Sequence, residues 1–205
     1  MTGARTIAAF FAASVAVSLV SNSRAAEHAP RFPVVDLHVD LSYEYNFKGK
    51  PFELGSGQFS ARKLEQGGVR GVVLPLFVPR DASPNGPRLA DLERSYARVS
   101  EALAHTKPFA PAGCTAPPGS VRTFFAFEGA APLANDPAAL SLWAGRGLRI
   151  VGLVHTYANE LASSSGDAPA KDFGLTDLGR AFVHRAFELG LVVDVSHASD
   201  RAVSD

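Results

Sequence analysis

Short apolar runs alternate with amphipathic stretches along most of this chain. Residues 34–40 (Val-Val-Asp-Leu-His-Val-Asp) read as a short buried strand. Ser60 is placed to cap a short helix over 61–66, which Gly67-Gly68 stops. Residues 71–78 are almost continuously apolar, the pattern of a strand covered on both faces. Pro75 sits awkwardly there, because a central ladder uses the N–H that proline lacks. From Arg88 to His105, Leu89, Leu92, Tyr96, Val99 and Leu103 fall on one helical stripe. Residues 123–127 form a third strand that ends at Glu128-Gly129. Asp136-Pro137 then opens a helix through Trp143, with proline at its first position. A fourth strand covers 150–155, followed by a loop over 156–174 rich in Ser, Gly, Asp and Ala. Thr176 or Asp177 caps the next helix, which Gly190 ends. A fifth strand covers 191–197, and 199–205 begin another helix.

Strict alternation of apolar strands and helices predicts an α/β fold with a parallel sheet wrapped in helices. Two architectures compete, the open doubly wound sheet and the closed eight-fold barrel. A glycine-rich phosphate loop is missing, since Gly145-Arg146-Gly147 precedes a strand instead of following one. That weakens the nucleotide-binding sheet.

The N-terminus departs from this alternation. Arg5 precedes a 14-residue apolar run over 7–20, and Ser23 and Ala25 sit at the −3 and −1 places of a cut before Ala26. This is the layout of a secretory signal peptide, and the run is short for a membrane span of about 20 residues. Residues 1–25 are therefore expected to be a signal segment and 26–205 the mature domain, secreted or periplasmic. Removal takes Arg5 and Arg24 away and leaves the domain slightly acidic. The whole chain has 20 basic and 20 acidic residues, so no net field favours nucleic acid. Its single cysteine, Cys114, rules out an intrachain disulfide framework and a cysteine-cluster zinc site.

Candidate chemistry gathers at the strand ends. The first strand ends in His38-Val39-Asp40, the third in Glu128, the fourth in His155 and the fifth in Ser196-His197. Parallel α/β enzymes collect their active sites at these C-terminal ends. Residues i and i+2 of a strand share a face, so His38 and Asp40 can aim into one site. His, Asp and Glu donors suit zinc. Each residue has a plainer reading: His155 as a hydrogen-bonded structural histidine, Glu128 as a turn cap, Asp36 and Asp194 as backbone ties. Their joint placement on successive strand ends favours a metal site. His28, His105 and His184 fall on the tail or on helices and read as surface or packing residues.

These segments, taken in order, resemble the membrane dipeptidase (renal dipeptidase) family of zinc metallopeptidases. Asp36-Leu37-His38-Val39-Asp40-Leu41 is similar to that family's opening Asp-x-His-x-Asp-Leu segment. Gly67-Gly68-Val69-Arg70-Gly71 precedes strand two as it does there. Phe127-Glu128-Gly129 resembles its bridging-glutamate segment. Leu153-Val154-His155-Thr156 with Asn159 resembles its Leu-Thr-His segment and the asparagine beyond. Gly174-Leu175-Thr176 and residues 190–197 resemble its Gly-Leu-Thr and Asp-x-Ser-His stretches.

The resemblance implies a metal-dependent-hydrolase (amidohydrolase-like) TIM barrel with two zinc ions. His38 and Asp40 would bind the first ion, Glu128 would bridge, and His197 would bind the second. His155 would contact the substrate and stabilise charge on its carbonyl oxygen, with Asp36 and Asp194 in support. The implied reaction is hydrolysis of a dipeptide by a hydroxide bridging the ions. A further zinc histidine, an acid/base aspartate and a substrate-binding arginine lie later in the family pattern than Asp205. The chain is accordingly expected to be a barrel truncated after about five βα units, with little or no peptidase activity alone. Two alternatives are a non-catalytic remnant and another amidohydrolase, such as a deaminase or cyclic-amide hydrolase. Those usually begin with His-x-His, against the His38-x-Asp40 seen here. A membrane is implied only through a retained signal segment or a C-terminal anchor, and a homodimer stays open.

Overall fold

A computed structural model describes residues 32–205 apart from 53–58, 80–81, 84–85, 87, 111–115 and 168–170. The expected signal segment, its cleavage site, His28 and Cys114 lie outside the described residues.

Among the described residues six parallel strands form one sheet: β1 (Val34–Asp36), β2 (Val69–Leu76), β3 (Phe109–Ala110), β4 (Val121–Glu128), β5 (Leu148–Gly152) and β6 (Val192–Asp194). Their order is β1-β2-β4-β5-β6, with the two-residue β3 beside the start of β4. The competition between architectures ends here. A doubly wound sheet reverses its strand order at a switch point, whereas this sheet advances in one direction throughout. Right-handed crossovers that always advance leave their helices on one face, and that is a segment of a barrel wall. The fold is a parallel α/β half-barrel.

Among the described residues six helices accompany it: α1 (Leu41–Phe47), α2 (Ala61–Gln66), α3 (Leu89–His105), α4 (Leu140–Gly145), α5 (Asp177–Glu188) and α6 (Asp200–Ser204). The caps expected at Ser60 and Thr176 form, and Ser199 adds a third. Ser60 accepts the Lys63 N–H, Thr176 that of Gly179 and Ser199 that of Ala202. The α3 stripe buries Leu92, Val99 and Leu103, but Leu89 is exposed. Asp91 replaces it in the interior of the first turn. It accepts hydrogen bonds from the Arg88 N–H (3.1 Å), the Arg88 Nε (3.2 Å) and the Ser83 hydroxyl (3.1 Å). The Arg88 guanidinium beside it holds its carboxyl below the usual range, against the opposing effect of burial. The helix expected from Asp136 divides into a 3-10 turn over Pro137–Ala139 and then α4.

The core lies between the sheet and these helices. Val72, Leu74 and Leu76 of β2 are fully buried. Phe125 of β4 meets Tyr96 edge-on at 5.2 Å, and Phe127 meets Trp143 at 4.9 Å. Arg146 lies 4.8 Å over the Trp143 ring and pairs with Glu93 at 2.8 Å, which ties the end of α4 to α3. Because Phe125 and Phe127 face the helices, alternation sends Ala126 and Glu128 to the opposite face, the inside of the barrel wall. Pro75 does occupy an interior strand, β2. The carbonyls of Val73 and Pro75 both point toward the β1 side, where they receive the Val39 N–H and the Ser42 hydroxyl. In a parallel ladder a residue's N–H and C=O point to the same neighbour. The missing N–H therefore faces a place where β1 has already ended.

Candidate metal centre

Three of the strands that lead to site residues end earlier than their sequence pattern implies. β1 stops at Asp36, β5 at Gly152 and β6 at Asp194, so His38, Asp40, His155 and His197 stand on the turns beyond. Glu128 alone is a strand residue. His38 and Asp40 therefore do not share the strand face that the i, i+2 spacing predicts; a turn brings them together. The cause is local. The Asp36 carboxylate accepts the His38 N–H at 3.1 Å, and the Asp194 carboxylate accepts the Ser196 N–H at 2.8 Å. In both cases a strand-ending aspartate captures the N–H two residues on, the closure of an Asx turn, and bends the chain out of the ladder. Asp36 and Asp194 thus act as backbone ties.

These turns converge. His38 Nε2 lies 3.3 Å from Asp40 Oδ1. On Glu128 Oε1, His197 Nε2 lies at 3.2 Å and His155 Nε2 at 3.4 Å. Two donor groups result, His38–Asp40–Glu128 and Glu128–His155–His197, with the ligand atoms of each within 4.8 Å of one another. Glu128 belongs to both. Its side chain is 16% exposed, against 41% for His197. Nitrogen and carboxylate donors at this spacing fit a divalent ion of the zinc type, and a carboxylate shared between two groups offsets repulsion between two cations.

The rings are held from several sides. Phe77 packs on the His155 imidazole at 4.3 Å, and His155 packs edge-on against His197 at 4.5 Å. The Thr156 hydroxyl lies 2.9 Å from His155 Nδ1, leaving Nε2 toward Glu128. Burial holds the His155 imidazole below its ordinary pKa range, opposed by the Glu128 carboxylate, so the neutral ring is favoured at neutral pH. His197 has φ +64°, a left-handed conformation that costs a residue with a side chain about 1–2 kcal/mol. Gly129, at φ +94°, turns the chain directly after Glu128, where glycine escapes that cost. A cavity of about 580 Å³ opens beside Glu128 and His155, walled by Phe77, Val78, Tyr157 and Asn159.

All five predicted site residues meet here, while His105 and His184 are exposed on helices as expected. Sequence reasoning missed Phe77 and Thr156. The available signal was the place of Phe77 near the end of the apolar run 71–78, one residue past β2 and so at the same C-terminal rim. Asn159 organises its loop: its amide donates to Leu153 O at 2.8 Å and its oxygen accepts the Leu161 N–H at 2.8 Å.

A parallel α/β half-barrel whose strand ends gather histidines and carboxylates around one glutamate defines a barrel-type α/β protein with a candidate metal centre. The chain belongs to the membrane dipeptidase family, peptidase family M19, whose sequence profile matches residues 22–205. Among curated relatives, dipeptidase aclJ of Aspergillus oryzae is 26% identical over 194 residues, covering 82% of this chain and 46% of its own. Among solved structures, the probable dipeptidase PvdM from Pseudomonas aeruginosa superposes with a TM-score of 0.69 at 26% identity. That match covers 89% of this chain and 51% of PvdM. A metallopeptidase from Rhodobacter sphaeroides, solved with a phosphinate mimic of the dipeptide L-Ala-D-Ala, shares the fold at 22% identity and a TM-score of 0.56. There 84% of this chain and 61% of the other are covered. The chain spans about half the length of the curated relatives it matches.

Proposed function

We propose that this chain carries the metal-binding half of a zinc dipeptidase site, which serves to hydrolyse the peptide bond of dipeptides. The observation that carries the reading is the sharing of Glu128 between two donor groups. His38 and Asp40 would hold one ion and His197 a second, with Glu128 available to both. Zinc held there would provide Lewis-acid chemistry, activating a water and polarising a scissile carbonyl. His155 serves as the substrate contact. Its Nε2 points toward Glu128, and the neutral ring favoured by burial can donate a hydrogen bond to a carbonyl oxygen as charge develops. The cavity beside it seats the substrate, and its Phe77 and Tyr157 walls suit an uncharged side chain. Family membership supports the reaction class, and the dipeptide mimic bound by the Rhodobacter protein suggests the substrate type. Residues 1–25 act as an export signal, which places the mature domain in a periplasm or outside the cell. Among the described residues no helix is long and apolar enough to cross a membrane.

The test is metal uptake by the purified chain, measured by elemental analysis and by Co2+ titration, beside its Glu128→Gln variant. Losing a carboxylate common to both groups should weaken uptake at least 100-fold, since even an outer hydrogen-bonding partner of a ligand is worth about 10- to 100-fold. The far-ultraviolet spectrum should not change. Equal uptake by both proteins refutes the site. Cleavage of Gly- and Ala-containing dipeptides, measured alongside, separates a working hydrolase from a chain that binds metal without turnover.

A further inference from the structure

We infer that the serine run Ser163-Ser164-Ser165 is a positioning clamp that sets the relative placement of His155 and His197. The two histidines follow different strands and lie 42 positions apart in the chain. One segment of the long loop holds the main chain of both. The Ser164 hydroxyl donates to the His155 carbonyl at 2.7 Å. The next residue, Ser165, donates to the His197 carbonyl twice, from its N–H at 2.9 Å and from its hydroxyl at 3.2 Å. Ser164 also pairs with Ala198 in an isolated antiparallel bridge.

The clamp is anchored from behind. The Ser163 carbonyl accepts the Ser199 N–H at 3.1 Å, and the Ser163 and Ser199 hydroxyls are 2.7 Å apart. Both hydroxyls donate to Asp172 Oδ1, which lowers the Asp172 pKa, Ser199 contributing most. Ser163 and Ser164 are buried, so these bonds are shielded from competing water. Gly166 presses the same segment against the chain after His155: a Cβ there would lie 2.2 Å from Thr156 O.

This arrangement accounts for the strained backbone of His197. A side-chain-bearing residue persists at φ +64° only where its surroundings over-determine it, and here two hydrogen bonds converge on its own carbonyl. Ser164 and Ser165 do not reach the imidazoles. They act by fixing the two backbones from which those rings reach Glu128 Oε1, at 3.4 and 3.2 Å. A hydroxyl at 164 is therefore a requirement of the site as well as of the loop.

The inference rests on the proposed metal site, and the experiment keeps the two apart. Co2+ affinity is measured for the full chain and for Ser164→Ala, Ser164→Thr and Ser60→Ala. The last removes the cap of α2, far from the site, as a control for a simple loss of stability. Ser164→Ala should bind Co2+ about 10- to 100-fold more weakly, Ser164→Thr should recover most of that, and Ser60→Ala should match the parent. Equal affinity in Ser164→Ala and Ser60→Ala overturns the clamp. If the parent chain takes up no Co2+, the metal reading fails. The clamp is then judged without metal from the histidine ring resonances by NMR. Ser164→Ala should move the His155 and His197 ring signals while Ser60→Ala leaves them in place, and unmoved signals overturn it. Should Ser164→Ala fail to fold, Ser165→Ala at its exposed position carries the same prediction for the His197 ring.

Discussion

Gly179, third residue of α5, gives a substitution in which two effects of known size oppose each other. Replacing glycine by alanine inside a helix normally stabilises it by about 0.8–1.0 kcal/mol. At Gly179 the new Cβ would lie 2.0 Å from the Leu161 carbonyl oxygen and 3.0 Å from its carbon. Close C···O contacts run at about 3.3 Å, so the helix and the loop must part by about 1 Å. Backbone cannot swing away as a side-chain end can, and overpacking of this kind costs about 1–3 kcal/mol. The Leu161 oxygen also receives the Thr176 N–H at 2.9 Å and the Thr176 hydroxyl at 3.2 Å. Displacing it disturbs the N-cap, worth about 1 kcal/mol more. The clash wins, and Gly179→Ala should lose a net 1–3 kcal/mol or so. Gly145, at the end of α4, supplies the contrast, because nothing lies within 4 Å of its Cβ position. Gly145→Ala should gain about 0.4–1 kcal/mol. Urea denaturation of both variants with the parent measures this directly, and thermal midpoints should move by about 2–4 °C per kcal/mol. A Gly179→Ala protein as stable as the parent, or a shift of the same sign in both variants, refutes the reasoning.

Asp91→Ala should cost about 1–3 kcal/mol, because it strips a buried cap of its bonds to Ser83 and Arg88, and equilibrium unfolding at neutral pH checks it. The sign of its pH dependence follows from linkage. A carboxyl whose folded pKa is depressed contributes stability that is present above its unfolded value, about 3.9, and is lost as pH falls through the folded one. Asp91→Asn should therefore show a flatter loss of stability below about pH 4 than the parent, and parallel acid limbs would count against the assignment. Trp143→Ala opens a hole between Tyr96 and Phe127 in the fully buried core and should cost about 3–5 kcal/mol, read by circular dichroism since the chain's only tryptophan is lost.

Alternation alone carried the half-barrel a long way, because most of its helices and strands left a periodic pattern. What it could not carry was strand order, which depends on contacts between segments. The helix at Leu41–Phe47 was illegible for a physical reason. Its buried side chains include Ser42, whose hydroxyl binds the Pro75 carbonyl, and its aromatic residues Tyr43, Tyr45 and Phe47 are only half buried, so no apolar stripe forms. The two-residue β3 is too short to leave any period. The strand ends were misjudged by two to four residues because apolar residues continue past them. Leu37 and Val195 extend the pattern but stand exposed on the turns.

The acidic residues at those ends show how function separates from structure within one motif. Asp36 and Asp194 each use a carboxylate oxygen to capture a backbone N–H two residues on, which shapes the turn. Asp40 sits where an aspartate ordinarily caps a helix, at the N-cap of α1, yet its side chain makes no cap hydrogen bond. That omission leaves the first turn short of a bond worth about 1 kcal/mol. The carboxylate is directed instead to His38, at 3.3 Å. Glu128 follows the same logic, since as the last residue of β4 it faces the barrel interior and meets His155 and His197. Residue type cannot divide these four acids into two pairs; what divides them is where each oxygen spends its hydrogen bonds. The pair that forgoes local backbone partners is the pair shared out among the histidines, and that is the arrangement a cation would select.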